Sequence, residues 1–241
     1  SPPRHAMPRT NRAAQINKVV KVVKKRYKPV ALPKDRSVLE HLVVACCAEN
    51  SPFEAAEAVF LKLTGDYFDW NEVRVSTILE LADVMKPLQD AEEAATRLKR
   101  VLQSVFETHY SFDLEIMRKQ NIGQAAKQIE KYNGSTPFTV AFLTQHGFAG
   151  HSIPVSRGLL EVFRIVGVIS DNEAAKYAVP GLERTIPKNK GAEIGSLLHQ
   201  LGAEFFKSPY APATRKLLLE IEPDCKERLP KRPSKKVAEP Q

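Results

Sequence analysis

Apolar positions along this chain recur at three- and four-residue spacing, interrupted by proline and glycine, and nowhere alternate over the length of a strand. From Asn11 to Tyr27 the set Ile16, Val19, Val20, Val22 and Val23 runs against Lys18, Lys21, Lys24, Lys25 and Arg26, which predicts a basic amphipathic helix ended by Pro29 and Pro33. Ser37 to Ala48 is apolar enough for a buried helix. Pro52 then opens a helix to Leu63. Residues 64–74, with Gly65, Tyr67, Phe68 and Trp70, read as a loop. Two short helices follow near Ser76–Leu81 and Ala82–Met85, then a long one from Ala91 to Glu107, and short ones at Phe112–Met117 and Gly123–Tyr132. Further helices are expected at Pro137–His146, Pro154–Val168, Asp171–Tyr177, Leu182–Ile186, Ala192–Phe206 and Ala213–Ile221. Residues 1–11 read as a disordered tail and the stretch from Pro223 as a basic, proline-punctuated tail. The fold class is all-α.

The stretch 121–168 organises this list. Gly134, in Tyr132-Asn133-Gly134-Ser135-Thr136, offers the left-handed backbone that a sharp helix reversal needs. Thr136 suits a helix cap and Pro137 a first helical position. A helix N-terminus offers unpaired N–H groups and the positive end of the dipole, which suits a phosphate. Such a turn is also the ordinary way to build an αα-hairpin in a helical core.

Charge adds a direction. The chain carries a formal +8, yet residues 1–28 hold nine Lys/Arg and no acid, and residues 226–241 hold six Lys/Arg and two Glu. The body between them is mildly acidic. Cationic ends track polyanions, though they also serve as solubilising tails. Cys46, Cys47 and Cys225 match neither a disulfide framework nor a zinc pattern, which suits a reducing compartment. No stretch reads as a secretory leader or a membrane span.

The order of these pieces resembles the helix-hairpin-helix DNA glycosylase superfamily, endonuclease III-like branch, from about Ile16 to Cys225. The resemblance is carried by Val38–Ala45, Thr77–Leu81, the hairpin at 133–139, Ile153-Pro154-Val155-Ser156-Arg157-Gly158, and Val166-Gly167-Val168-Ile169. It implies two lobes with a DNA cleft between them. Residues 37–150 would form a six-helix bundle carrying the hairpin, and 12–36 with 151–225 a lobe built from both chain ends.

The positions that carry the family's chemistry are changed. The Schiff-base Lys aligns with Pro137, which has no amine to attack a sugar. The essential Asp aligns with Ser156, whose hydroxyl is neither charged nor a competent base near neutral pH. The family's gap-filling Gln falls near Asn50. The iron–sulfur cysteines fall near Phe206, Ala213, Lys216 and Glu222, so no cluster and no other cofactor or metal is expected.

The reading that follows is a DNA-binding member of the fold without lyase or glycosylase chemistry. It would be monomeric and intracellular (cytoplasmic, and nucleoid-associated if bacterial), holding double-stranded DNA without sequence preference and having no membrane partner. Two alternatives stand beside it. One is a divergent, active glycosylase in base excision repair with a relocated carboxylate, Glu161 or Asp171; the other is a protein-interaction scaffold. The DNA contacts expected are Gly134, Ser135, Thr136, Asn50, Arg157, Lys21, Lys24, Lys25 and Arg26. His146, His151, Trp70 and Lys188-Asn189-Lys190 are read first as structural or solvated, and as contacts only second.

Overall fold

The computed structural model describes residues 9–234; residues 1–8 of the tail expected to be disordered over 1–11, and the last part of the basic tail, lie outside them, while residues 9–11 are helical and open the first helix. The described residues are helical and contain no strand. In chain order the helices are α1 (Arg9–Arg26), α2 (Val38–Ala48), α3 (Phe53–Asp66), α4 (Trp70–Val75), α5 (Ile78–Val84), α6 (Ala91–His109), α7 (Ile122–Glu130) and α8 (Pro137–Phe142). After a loop come α9 (Arg157–Ile165), α10 (Asp171–Ala175), α11 (Leu182–Thr185), α12 (Gly191–Lys207) and α13 (Pro212–Ile221).

Several starts are fixed by side chains that serve the first unpaired N–H groups. Ser37 with Glu40, Thr77 with Glu80, Thr136 with Thr139, and Ser170 with Glu173 each form a reciprocal cap. Several boundaries differ from the sequence reading. The expected loop at 64–74 shrinks because α3 runs to Asp66 and Asp69 caps α4, whose Trp70 stacks near Phe60 at 6.2 Å. The two short helices after it are one, α5. The helix after the hairpin becomes a π turn at Leu143–Gly147, and α9 starts at Arg157, not Pro154, because Ser156 caps it. The stretch after Pro223 is no free tail at its start: a 3-10 turn, Pro223–Arg228, buries Cys225, and Leu229 is buried after it.

Two hydrophobic cores result. One is formed by residues of α2 to α8 with Leu32. The other joins α1 (Ile16, Val19, Val20, Val22, Val23) to α9, α11, α12 and α13. The inward stripe of α1 is why its lysines all point outward. α9 and α12 cross at Gly158 and Gly202: a Cβ on Gly202 would lie 2.5 Å from Ser156 Oγ. The cores meet at the end of α2. Gln89 Nε2 donates to Asn50 O (2.6 Å) and to Ala203 O (3.0 Å), and His199 Nε2 lies 2.8 Å from Ser51 O.

Candidate nucleic-acid groove at the hairpin

The hairpin is built against α6. Gly134 has φ 89°, and a Cβ there would lie 2.8 Å from Arg97 O and 3.0 Å from Arg100 Cβ, so the position tolerates only glycine without a shift. Asn133 N–H donates to Ser104 Oγ at 2.9 Å, which fixes the turn on the same helix. This places Arg97 and Arg100 beside the turn.

An open groove of about 620 Å³ results, lined by Gly134, Ser135 and Thr136, by Glu92, Glu93, Thr96, Arg97 and Arg100 of α6, by Glu49, and by Arg157. At its floor is a buried charged set. Arg97 Nε lies 3.0 Å from Glu49 Oε2, and Arg97 Nη2 lies 2.9 Å from Asp90 Oδ2 and donates to Cys46 O at 2.8 Å. Glu49, only 6 % exposed, accepts from Thr136 Oγ1 at 2.5 Å. Burial raises the Glu49 carboxyl above the ordinary carboxylate range, against the pull of Arg97 and of the Thr136 hydrogen bond. Burial also works against the Arg97 charge, and Glu49 and Asp90 more than offset it. At the rim, Arg100 and Arg157 are exposed, and Arg157 Nη1 is 3.9 Å from Glu93.

The expected contacts are distributed unevenly about this groove. Gly134, Ser135, Thr136 and Arg157 line it together. The backbone donors of the turn are largely committed, however. Ser135 N–H donates to Tyr132 O and Thr136 N–H to Thr139 Oγ1, both at 3.1 Å, which leaves less for a phosphate than the sequence implies. Asn50 does not face the groove: it is 1 % exposed and its Nδ2 donates to Asp90 Oδ2 at 2.9 Å. An amide committed there is not free to enter a duplex.

Pro137 takes the first position of α8 and is exposed. Ser156 is 1 % exposed, caps α9 by accepting from Leu159 N–H, and lies under Gly202 of α12. Glu161 pairs with Arg164, which also reaches Asp171 at 3.4 Å. Both carboxylates line a different, mostly apolar groove of about 580 Å³ with Leu160, Phe205 and Phe206. Arg157 is the residue common to the two.

On α1, Lys21 and Lys24 are exposed; Lys25 lies 3.4 Å from Glu220, Lys18 3.5 Å from Glu222, and Arg26 2.6 Å from Glu204. Lys188 and Lys190 are exposed on a 3-10 turn. His151 Nε2 is held by Glu183 O and Ile186 O, both at 2.7 Å, and the His146 ring packs on Phe142 at 4.4 Å. Both histidines are thus engaged inside the protein.

The family's iron–sulfur cluster does not fit here. Phe206, Ala213, Lys216 and Glu222 offer no thiolate, α13 occupies the segment, and the Cys225 thiol is buried. Among the described residues no group of three or more His, Cys, Asp or Glu side chains has metal-binding geometry, and no helix is long and apolar enough to cross a membrane.

Glu49, Asp90, Arg97 and Arg100 were not singled out from sequence. The only sequence signal was a carboxylate, Glu49, ending a strongly apolar helix, where burial demands a partner.

No family model matches the chain. It is 20 % identical over 168 residues to an Arabidopsis thaliana protein named "Putative DNA glycosylase"; the match covers 70 % of this chain, which spans a little over half (57 %) of that relative. Among solved structures, a trapped endonuclease III–DNA covalent intermediate superposes with a TM-score of 0.57 at 14 % identity, covering 93 % of this chain and 100 % of the other. A thermostable thymine-DNA glycosylase superposes with a TM-score of 0.54 at 16 % identity, covering 84 % and 89 %.

Proposed function

This chain has the all-α helix-hairpin-helix DNA glycosylase fold, endonuclease III-like in its neighbours, and we propose that it binds double-stranded DNA through the hairpin groove without Schiff-base or glycosidic chemistry. The observation that carries the reading is the groove itself. An open channel of about 620 Å³ puts the hairpin turn between Arg100 and Arg157, two exposed guanidiniums able to grip phosphate oxygens in a bidentate manner. Phosphate contact would come mainly from these side chains, since two of the turn's N–H groups are engaged internally. Contacts of that kind carry no base information, so binding would be sequence-independent. The protein would act as a monomer inside the cell.

The absence of chemistry is supported by what occupies the two decisive positions. Pro137 offers no nucleophile, and α8 contains no lysine. Ser156 spends its hydroxyl on capping α9 beneath α12, away from solvent. Glu161 and Asp171 are engaged by Arg164 and do not line the hairpin groove.

The test is a panel of intact, abasic, uracil-containing and oxidised-base duplexes, scored for binding, strand cleavage and borohydride trapping. Binding to all without cleavage or adduct is the expected result. A covalent adduct mapped to one lysine, or release of a particular base, would establish the enzyme reading. No binding to any duplex would favour the interaction scaffold.

A further inference from the structure

The hairpin's polar face is satisfied from inside the protein. Glu49 reaches it from the end of α2, accepts the Thr136 hydroxyl at 2.5 Å, and lies against Arg97 at 3.0 Å. Arg97 cannot follow an incoming phosphate, because it is also tied to Asp90 and to Cys46 O. The set Glu49–Arg97–Asp90 therefore keeps one unbalanced negative charge at the floor of a groove meant for an anion. The rim does not correct this, since Glu92 and Glu93 stand against Arg100 and Arg157.

We propose that Glu49 is a proton-operated gate on the hairpin groove: a phosphate group of the ligand is accepted when Glu49 takes up a proton and is repelled while Glu49 is a carboxylate. This rests on the DNA-binding reading and adds a condition to it. The groups facing Glu49 are Arg97 of α6, Asp90 just before α6, Thr136 of the hairpin, Arg157 of α9, and Tyr177 after α10. Burial and Asp90 work toward protonation of Glu49, while Arg97, the Thr136 hydrogen bond and Arg157 hold it ionised. A phosphate entering beside Arg157 adds a further negative charge and pushes toward protonation. Binding and proton uptake are then linked: whatever favours one favours the other.

The experiment measures affinity of the full chain for a short duplex of arbitrary sequence from about pH 8 to about pH 5.5, above the range in which ordinary carboxylates titrate. It is paired with calorimetry in two buffers of different ionisation enthalpy, which counts protons taken up without any variant. Expected is uptake approaching one proton per groove occupied, and binding that tightens about tenfold per unit as pH falls. Glu49→Gln keeps an oxygen to accept from Thr136 and removes the charge. At the upper pH it should bind more tightly than the wild type by about tenfold for each pH unit over which the wild type tightens, and lose that part of the pH dependence. Wild-type binding without proton uptake, or a Glu49→Gln profile parallel to the wild type, overturns the gate and leaves the DNA reading standing. Failure of both proteins to bind at every pH removes the DNA reading and the gate together.

Discussion

The hairpin groove and the outer face of α1 both carry cations set among carboxylates, and they hold their charge in opposite ways. In the groove, Arg97 is largely buried between two acids and committed, while Arg100 and Arg157 stand exposed at the rim, Arg157 within 3.9 Å of Glu93. On α1, Lys18, Lys21, Lys24 and Lys25 all stand in solvent, tied at most to one carboxylate of α13 or the turn after it. Exposed pairs of that kind contribute about 0–1 kcal/mol and are screened by salt. Buried sets are costly to break. The groove is therefore the part of the surface with shape and α1 the part with reach.

The largest expected effect lies just behind the groove, in the packing that supports α8. His146 and His199 sit among Phe53, Phe138 and Phe142, with His199 stacked 4.3 Å from Phe53, and His41 is buried close enough to His146 to bear on its charge. Burial pushes each imidazole down to about 4, aided at His41 by Arg118 and Arg36 and at His146 by the other two histidines. The folded values lie below the unfolded value near 6.5, so stability is complete above about 6.5 and is lost as pH falls from there through about 4. Between about pH 7 and pH 5 the loss is up to about 2 kcal/mol for each histidine. Glu49, with its raised carboxyl, works in the opposite sense. A urea midpoint that stays flat across that interval would break this half of the comparison. α1, with no histidine among its residues, would not distinguish the two conditions.

Next in size is the groove's own charge. Arg97→Leu leaves Glu49 and Asp90 buried without their cation, and should cost about 3–5 kcal/mol in urea unfolding. Lys21→Ala with Lys24→Ala should change stability by no more than about 0.5 kcal/mol, since both are exposed and neither is paired with an acid among the described residues. Equal costs for the two variants would mean that the groove's charges are no more structural than those of α1.

Much of the scaffold is legible in local sequence and little of the groove is. The helices follow from apolar spacing, and their ends from Ser37, Thr77, Thr136 and Ser170, because a cap and its partner lie three residues apart. Gly134 announces its turn for the same reason. Trp70 misleads because a short capped helix inside an aromatic-rich stretch has too few positions to show a period. The π turn at Leu143–Gly147 has no periodic signature either. Glu49, Asp90, Arg97 and Thr136 meet across dozens of residues, so their pairing exists only once α2, α6 and the hairpin are packed. The burial of Ser156 is likewise set by Gly202 on a distant helix. The residue types at Pro137 and Ser156 were legible through the family resemblance; that Asn50 turns inward onto Asp90 was not.

The smallest effect separates the two surfaces within one measurement. Sequence alone credits all the α1 cations equally, so that four to six terminal contacts would give a salt slope of about −4 to −5. The structure ranks them. Lys21 and Lys24 have no acidic partner among the described residues, whereas Lys25 pairs with Glu220 and Arg26 with Glu204, which also accepts from Tyr27. Removing a cation already matched by a carboxylate releases little field toward a distant polyanion. Lys21→Ala with Lys24→Ala should therefore reduce the magnitude of the slope by about 1.8 if both contact phosphate. Lys25→Ala with Arg26→Ala should reduce it by less than half of that. Affinity in low salt falls in both variants, and near the physiological range the residual binding belongs to Arg100 and Arg157. The measurement is the logarithm of the binding constant for an arbitrary duplex against the logarithm of salt concentration. Slopes equally reduced by the two pairs would show that Glu204 and Glu220 give way to DNA, and that α1 acts as an undifferentiated positive rod.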